Sequence, residues 1–221
     1  MLFNISSFSE LIFRVIAVIL ALTVHEFSHG LAAYLMGDDT ARIQGRLTLN
    51  PLKHIDIFGG IMLLLVGFGW AKPVGVNPMR FKNPKGGMAI TALAGPVSNF
   101  ILAFLFYVIA LIVQINAAQP DGSLGATAIA IITFFSVCIS INIGLGVFNL
   151  IPVPPLDGSR VVTAFLPERT YFGIMRYERY IMLGLMALLF LNVLDVPLSF
   201  LFSKVWSGIE FLAVSLVSLF S

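Results

Sequence analysis

Five residues, His25-Glu26-Phe27-Ser28-His29, lie inside an apolar run from about Ser9 to Met36 that ends at Gly37 before two aspartates. At 1.5 Å per residue a helix of that run is long enough to cross the roughly 30 Å of bilayer hydrocarbon. A spanning segment must satisfy its own backbone donors and acceptors, so the run has to be helical. Residues four apart share a helix face, and His25 and His29 can turn two ring nitrogens toward one tetrahedral metal ion. A glutamate between two histidines is costly in hydrocarbon, which makes function its default reading. Glu26 is placed to work on water activated by the metal.

The rest of the chain is membrane-like as well. Of 221 residues, 58% are hydrophobic and 11% charged, and the mean hydropathy is +0.98, far from what a water-facing surface requires. A net charge of +2 is too small to argue for nucleic acid. The single Cys138 excludes an internal disulfide and a cysteine-based zinc site. Met1 to Glu10 carries no basic residue, so no removable signal peptide is expected.

Further apolar segments run from about Met88 to Ala117, from Ala126 to Leu150 and from Tyr180 to Phe220, the last broken at Asn192 to Pro197. Ile57 to Trp70 is only fourteen residues, interrupted by Gly59, Gly60, Gly67 and Gly69. That length suits a re-entrant element or hairpin, and its flanking glycines and prolines offer a strand edge for an unwound substrate or a surface anchor with Trp70 at the headgroups. The expected fold is an all-α polytopic membrane protein with about five transmembrane helices and a re-entrant or hairpin element. It forms one domain over residues 1–221, without internal repeat, with C-terminal helices at about 180–220.

Two histidines leave zinc short of a third protein ligand, for which His54 and the acidic residues are candidates. Asp157 stands out among them. The stretch Asn149 to Gly158 carries Pro152, Pro154 and Pro155, which break a helix at membrane depth, where irregular backbone is tolerated only inside protein or beside a wet cavity. His54, in a polar loop with Lys53 and Asp56, reads better as an interfacial structural residue. Gly95, Pro96 and Asn99 mark a kink or a close helix approach, with Asn99 bonding across helices and no catalytic part assigned to it. Arg14 is expected to snorkel to the outer headgroups.

His25-Glu-Phe-Ser-His29-Gly30, Gly45 through His54, Trp70-Ala-Lys-Pro-Val74, Ala94-Gly-Pro-Val-Ser-Asn99 and Asn149 through Gly158 occur in order along the chain. With these stretches the chain resembles the site-2 protease family of intramembrane zinc metalloproteases, in particular its small members without PDZ or CBS domains. The resemblance implies a three-helix catalytic core at about residues 9–160, one zinc held by His25, His29 and Asp157, Glu26 as general base and then acid, and Asn149 near the reacting carbonyl. It implies hydrolysis of peptide bonds within or near the bilayer, in a single-span membrane protein or a signal-peptide remnant. The rival reading is a non-catalytic or metal-transporting bundle using the same site. A transporter is expected to pair broken helices in two repeated halves, and this chain has one break.

Lys and Arg number seven between residues 38 and 87, none between 118 and 125, and four between 151 and 180. By the positive-inside rule the first and third of these loops are cytoplasmic, which places the active site toward the cytoplasmic side of a prokaryotic cell membrane. A cysteine introduced at Ser123 is therefore expected to react with an impermeant thiol reagent in intact cells, and one at Lys82 is not. The reverse pattern overturns the orientation.

Overall fold

The computed structural model describes residues 8–54, 56–66, 71–119 and 121–220. Gly67, Gly69 and Trp70 of the expected hairpin, Pro120, and Met1 to Ser7 at the amino end lie outside these residues.

The first helix, α1 (Phe8–Leu35), ends where glycine permits it. Gly37 adopts φ +105°, and the amides of Gly37 and Asp38 return to the carbonyls of Tyr34 and Ala33, a Schellman closure that only a residue free of Cβ crowding makes cheaply. Near its other end Arg14 pairs with Glu10 at 2.6 Å. Beyond α2 (Thr40–Ile43) and a short 3-10 turn at Pro51–Lys53, α3 (Ile57–Val66) packs against α1. At ten residues it is about 15 Å long and cannot span. Helix takes 57–66, and among the described residues of this segment the extended stretch is 71–77.

α4 (Pro84–Ala117) is the centre of the bundle and packs on α1, on α5 (Ala126–Asn149), on α6 (Asp157–Thr163) and on α9 (Asp195–Val217). It starts on Asn83, whose side chain accepts from the Gly86 amide, with Pro84 at its first position. Gly87, Thr91, Gly95, Asn99 and Ala103 recur every fourth residue along it and are all buried. That spacing lays small side chains along one stripe, the way helices approach closely where lipid supplies no hydrophobic drive between them. From α5, Ile139, Ile143 and Val147 complete an apolar core with Ala103 and Ile209 of α9. The outward faces are the opposite: Ile101, Leu105, Ile109 and Ile112 of α4 and Phe211 and Leu212 of α9 are exposed, a belt that suits lipid and not water.

After α5 the chain passes through Ile151 to Leu156 without regular structure and re-enters helix at Asp157. α7 (Glu168–Arg176) and α8 (Glu178–Phe190) lead to α9. Among the described residues four helices, α1, α4, α5 and α9, are long and apolar enough to cross a membrane. The fifth expected span, α8, has thirteen residues, about 20 Å, and falls short of the hydrocarbon thickness.

Residues 71–77 are stitched across the end of α1. The Lys72 amide donates to the His54 carbonyl at 2.7 Å, Arg46 donates to the Pro73 carbonyl, and Arg80 pairs with Asp39. Fully buried Asp38 accepts from the Asn77 amide at 2.6 Å and from the Thr40 amide at 3.0 Å. Burial works against its charge, but the bonds from Thr40 and Asn77, with Arg80 nearby, hold its carboxyl below the usual range. A depressed folded value contributes stability that is complete above the unfolded pKa and is lost as pH falls through the folded one. Asp38→Ala is expected to cost about 1–3 kcal/mol by leaving two amides unpaired, and the gap between variant and wild type should close as acid is added. Thermal unfolding in detergent across the acid range measures both; equal stabilities at neutral pH would refute the role given to Asp38.

Candidate metal centre

His25 and His29 stand one turn apart on the inner face of α1, 5% and 9% exposed. Their rings meet at 89° with centroids 4.6 Å apart. Each outer nitrogen is held from behind: His25 Nδ1 donates to Asn99 Oδ1 and His29 Nδ1 donates to the Thr91 carbonyl, both at 2.7 Å. An amide oxygen and a backbone carbonyl can only accept, so both neutral rings carry their proton on Nδ1 and direct a lone pair through Nε2.

The two Nε2 atoms lie 3.0 Å apart. Asp157 Oδ2 sits 3.1 Å from that of His25 and 3.2 Å from that of His29, and it has no hydrogen-bond partner although the atom is buried. Three acceptors therefore converge with no proton to share. A cation resolves that arrangement, and the three side chains form a group able to hold one. Two imidazoles and one carboxylate are a donor set that suits zinc, with a position left over for catalysis. The residues present fit the metal.

The sequence around each ligand explains the geometry. α4 comes close enough to support both imidazoles because position 95 is glycine. A Cβ there would stand 2.5 Å from His29 Nε2 and 2.6 Å from His25 Cε1, so any other residue at this point displaces the rings. Asp157 arrives because the prolines stop α5 and the chain restarts helix at that residue, with Leu156 as its cap. Glu26 is buried, and its Oε2 accepts from the Val74 amide at 2.9 Å, which orients the carboxylate and leaves Oε1 for a proton. Gly30 lets this strand lie close, since a Cβ there would already touch Val74 and Ala41 at 3.3 Å.

Other expectations fare differently. His54 is fully buried, its Nε2 bonded to the Thr48 carbonyl at 2.7 Å, and it stands outside the ligand cluster as a structural residue. Asn149 closes α5 with its amide turned back on the Leu145 carbonyl at 3.0 Å, and this conformer makes no hydrogen bond to the cluster. Three supports of the centre carry no signal of their own in the sequence: Asn99, given only a helix-packing part above, the Thr91 carbonyl, and the Val74 amide. The fourfold stripe Gly87, Thr91, Gly95, Asn99, read as the face that meets α1, is the pattern that points to the first two.

Comparison with known proteins fits this geometry. Residues 13–120 and 112–192 match the family described as Peptidase family M50. The chain belongs to peptidase family M50. It is 42% identical over 168 residues, 76% of its own length and 75% of the relative's, to "Putative zinc metalloprotease YwhC" of Bacillus subtilis. MJ0611 of Methanocaldococcus jannaschii, under the same description, is 33% identical over 164 residues, 73% of this chain and 75% of the relative. Rip2 of Mycolicibacterium smegmatis, again so described, is 30% identical over 158 residues, 69% of this chain and 56% of its own length. No solved structure matches. As an M50 member the chain is a metalloprotease embedded in a membrane by several helices.

Removing the carboxylate should separate the ligands from the bystander. Asp157→Ala is expected to lower metal occupancy together with activity, whereas His54→Ala keeps one equivalent of zinc. Metal analysis of the purified variants measures this, and three imidazoles on the metal by X-ray absorption, or an empty site in His54→Ala, would refute the ligand set.

Proposed function

We infer that this M50 chain is an intramembrane zinc endopeptidase that cuts a single-span membrane protein or a signal-peptide remnant within or near the bilayer, as a step of regulated intramembrane proteolysis. The observation that carries the reading is the convergence of His25 Nε2, His29 Nε2 and Asp157 Oδ2 to within about 3 Å of one another, beside a buried glutamate on the same helix as the histidines. Zinc held there supplies Lewis acidity, polarising the scissile carbonyl and making water acidic enough to react near neutral pH.

The rest is the work of the chain. Glu26, fixed through Oε2 by the Val74 amide, takes a proton from the attacking water on Oε1 and returns it to the leaving amine. Asn149 is the last residue of α5 and stands eight before Asp157. Releasing its bond to Leu145 frees its amide to donate to the oxyanion, an interaction whose loss typically costs about 10² to 10³ in rate. A helical substrate has no free backbone to present, so it must unwind before hydrolysis. The extended residues 71–77, joined to Glu26 through Val74, lie where an unwound segment can add as a strand. The basic loops at 38–87 and 151–180 favour a site facing the cytoplasmic half of a prokaryotic cell membrane.

A metal-conducting bundle gains nothing from a glutamate whose oxygen is spent on a backbone amide. Glu26→Gln is expected to keep stoichiometric zinc, because the three ligands are untouched, and to lose cleavage by at least about 10²-fold, because the amide cannot accept the proton. Purified wild type and variant, given single-span substrates and read by mass spectrometry, make the test; full cleavage by the variant would remove Glu26 from its role.

A further inference from the structure

Behind His25 a hydrogen-bonded relay runs away from the metal centre through three helices. Asn99 on α4 accepts from His25 Nδ1, and its amino group donates to Asn142 Oδ1 on α5 at 2.9 Å and to the Ala21 carbonyl on α1 at 3.3 Å. Asn142 donates in turn to the Cys138 carbonyl at 2.8 Å. Both asparagines are fully buried. Asn142 makes no hydrogen bond to a metal ligand; its partners are Asn99 and its own helix.

The relay has a direction. A carboxamide can be turned over, exchanging its donor and acceptor ends, so a single asparagine does not by itself fix the proton on a histidine. The Cys138 carbonyl can only accept, which turns the amino group of Asn142 toward it and the oxygen of Asn142 toward Asn99. Asn99 must then offer its amino group to Asn142 and its oxygen to His25, and His25 Nδ1 must donate. Reversing Asn99 would set its oxygen against the oxygens of Ala21 and Asn142. It would also draw the imidazole proton onto Nε2, the nitrogen that has to ligate. His29 needs no such device, because its partner, the Thr91 carbonyl, cannot be reversed.

We propose that Asn142 is a positioning residue for the metal centre: through Asn99 it passes the polarity of the Cys138 carbonyl to His25 and holds that ring in its ligating tautomer. The proposal rests on the reading of His25 as a zinc ligand. In Asn142→Leu, which keeps the branched shape without the polar atoms, only the longer bond to Ala21 still orients Asn99.

The test uses the full chain in detergent micelles. With metal removed, ¹⁵N spectra of labelled histidine are expected to show His25 in the Nδ1–H form in wild type and as a mixture of tautomers in Asn142→Leu. Chelator competition should show zinc bound about tenfold more weakly by Asn142→Leu and 10- to 100-fold more weakly by Asn99→Leu. The double variant should be no weaker than Asn99→Leu alone, because the outer residue acts only through the inner one. Asn142→Ala repeats the measurements with a smaller side chain should the leucine variant not fold. An unshifted His25 tautomer, an unchanged zinc affinity or additive losses in the double variant would each overturn the relay. Undiminished zinc in His25→Ala would instead overturn the metal site, and the tautomer spectrum reads the relay independently of it.

Discussion

Everything in this fold that concerns chemistry depends on three lone pairs meeting in a place that water hardly reaches. His25, His29 and Asp157 bring their acceptor atoms to within about 3 Å of one another, and the hydrogen bonds behind the two rings keep protons off the facing nitrogens. Left alone, such a cluster repels itself, and in a low dielectric the repulsion is felt strongly. Holding it together requires supports on every side. α1 supplies two ligands in one turn, the break after α5 supplies the third, and α4 supplies the acceptors that orient the rings.

α4 meets those demands by being small where it matters. Its stripe of Gly87, Thr91, Gly95, Asn99 and Ala103 serves two purposes that a larger side chain would set against each other. Gly95 brings the backbone up against the imidazoles, so the Thr91 carbonyl, one turn before it, can reach His29. Asn99, one turn after it, fills the same groove with a polar group for His25. Packing and ligand orientation are thus a single feature, read as helix contact in the sequence and as metal chemistry in three dimensions.

What could be read from the sequence divides along the same line. His25, Glu26 and His29 are legible because they fall within about one helical turn, where spacing alone decides their relation. Asp157 is legible because a run of prolines at membrane depth is hard to explain without a group to deliver. Asn99 is not, since its partner lies seventy-four residues away and an asparagine in a membrane helix has many uses. Nor is the Val74 amide, because a backbone donor leaves no mark on residue type. α8 is legible only in part: the sequence marks the break at Asn192 to Pro197, where Asn192 takes a φ of 56°, but hydropathy counts the apolar residues before it as a span when the helix they form has only thirteen residues.

The extended segment at 71–77 ties α1 to the loop that follows it. At one end Asn77 is gripped by Asp38, which owes its place to the glycine closure of α1; in the middle Val74 grips Glu26. Two carboxylates, Glu26 within α1 and Asp38 just past its end, thus hold one extended segment through its Val74 and Asn77 amides. The segment cannot shift along its length without altering the hydrogen bond that orients Glu26. Whatever moves residues 71–77 therefore also turns the Glu26 carboxylate, so the aim of that side chain is set by a piece of backbone whose other end is anchored outside α1.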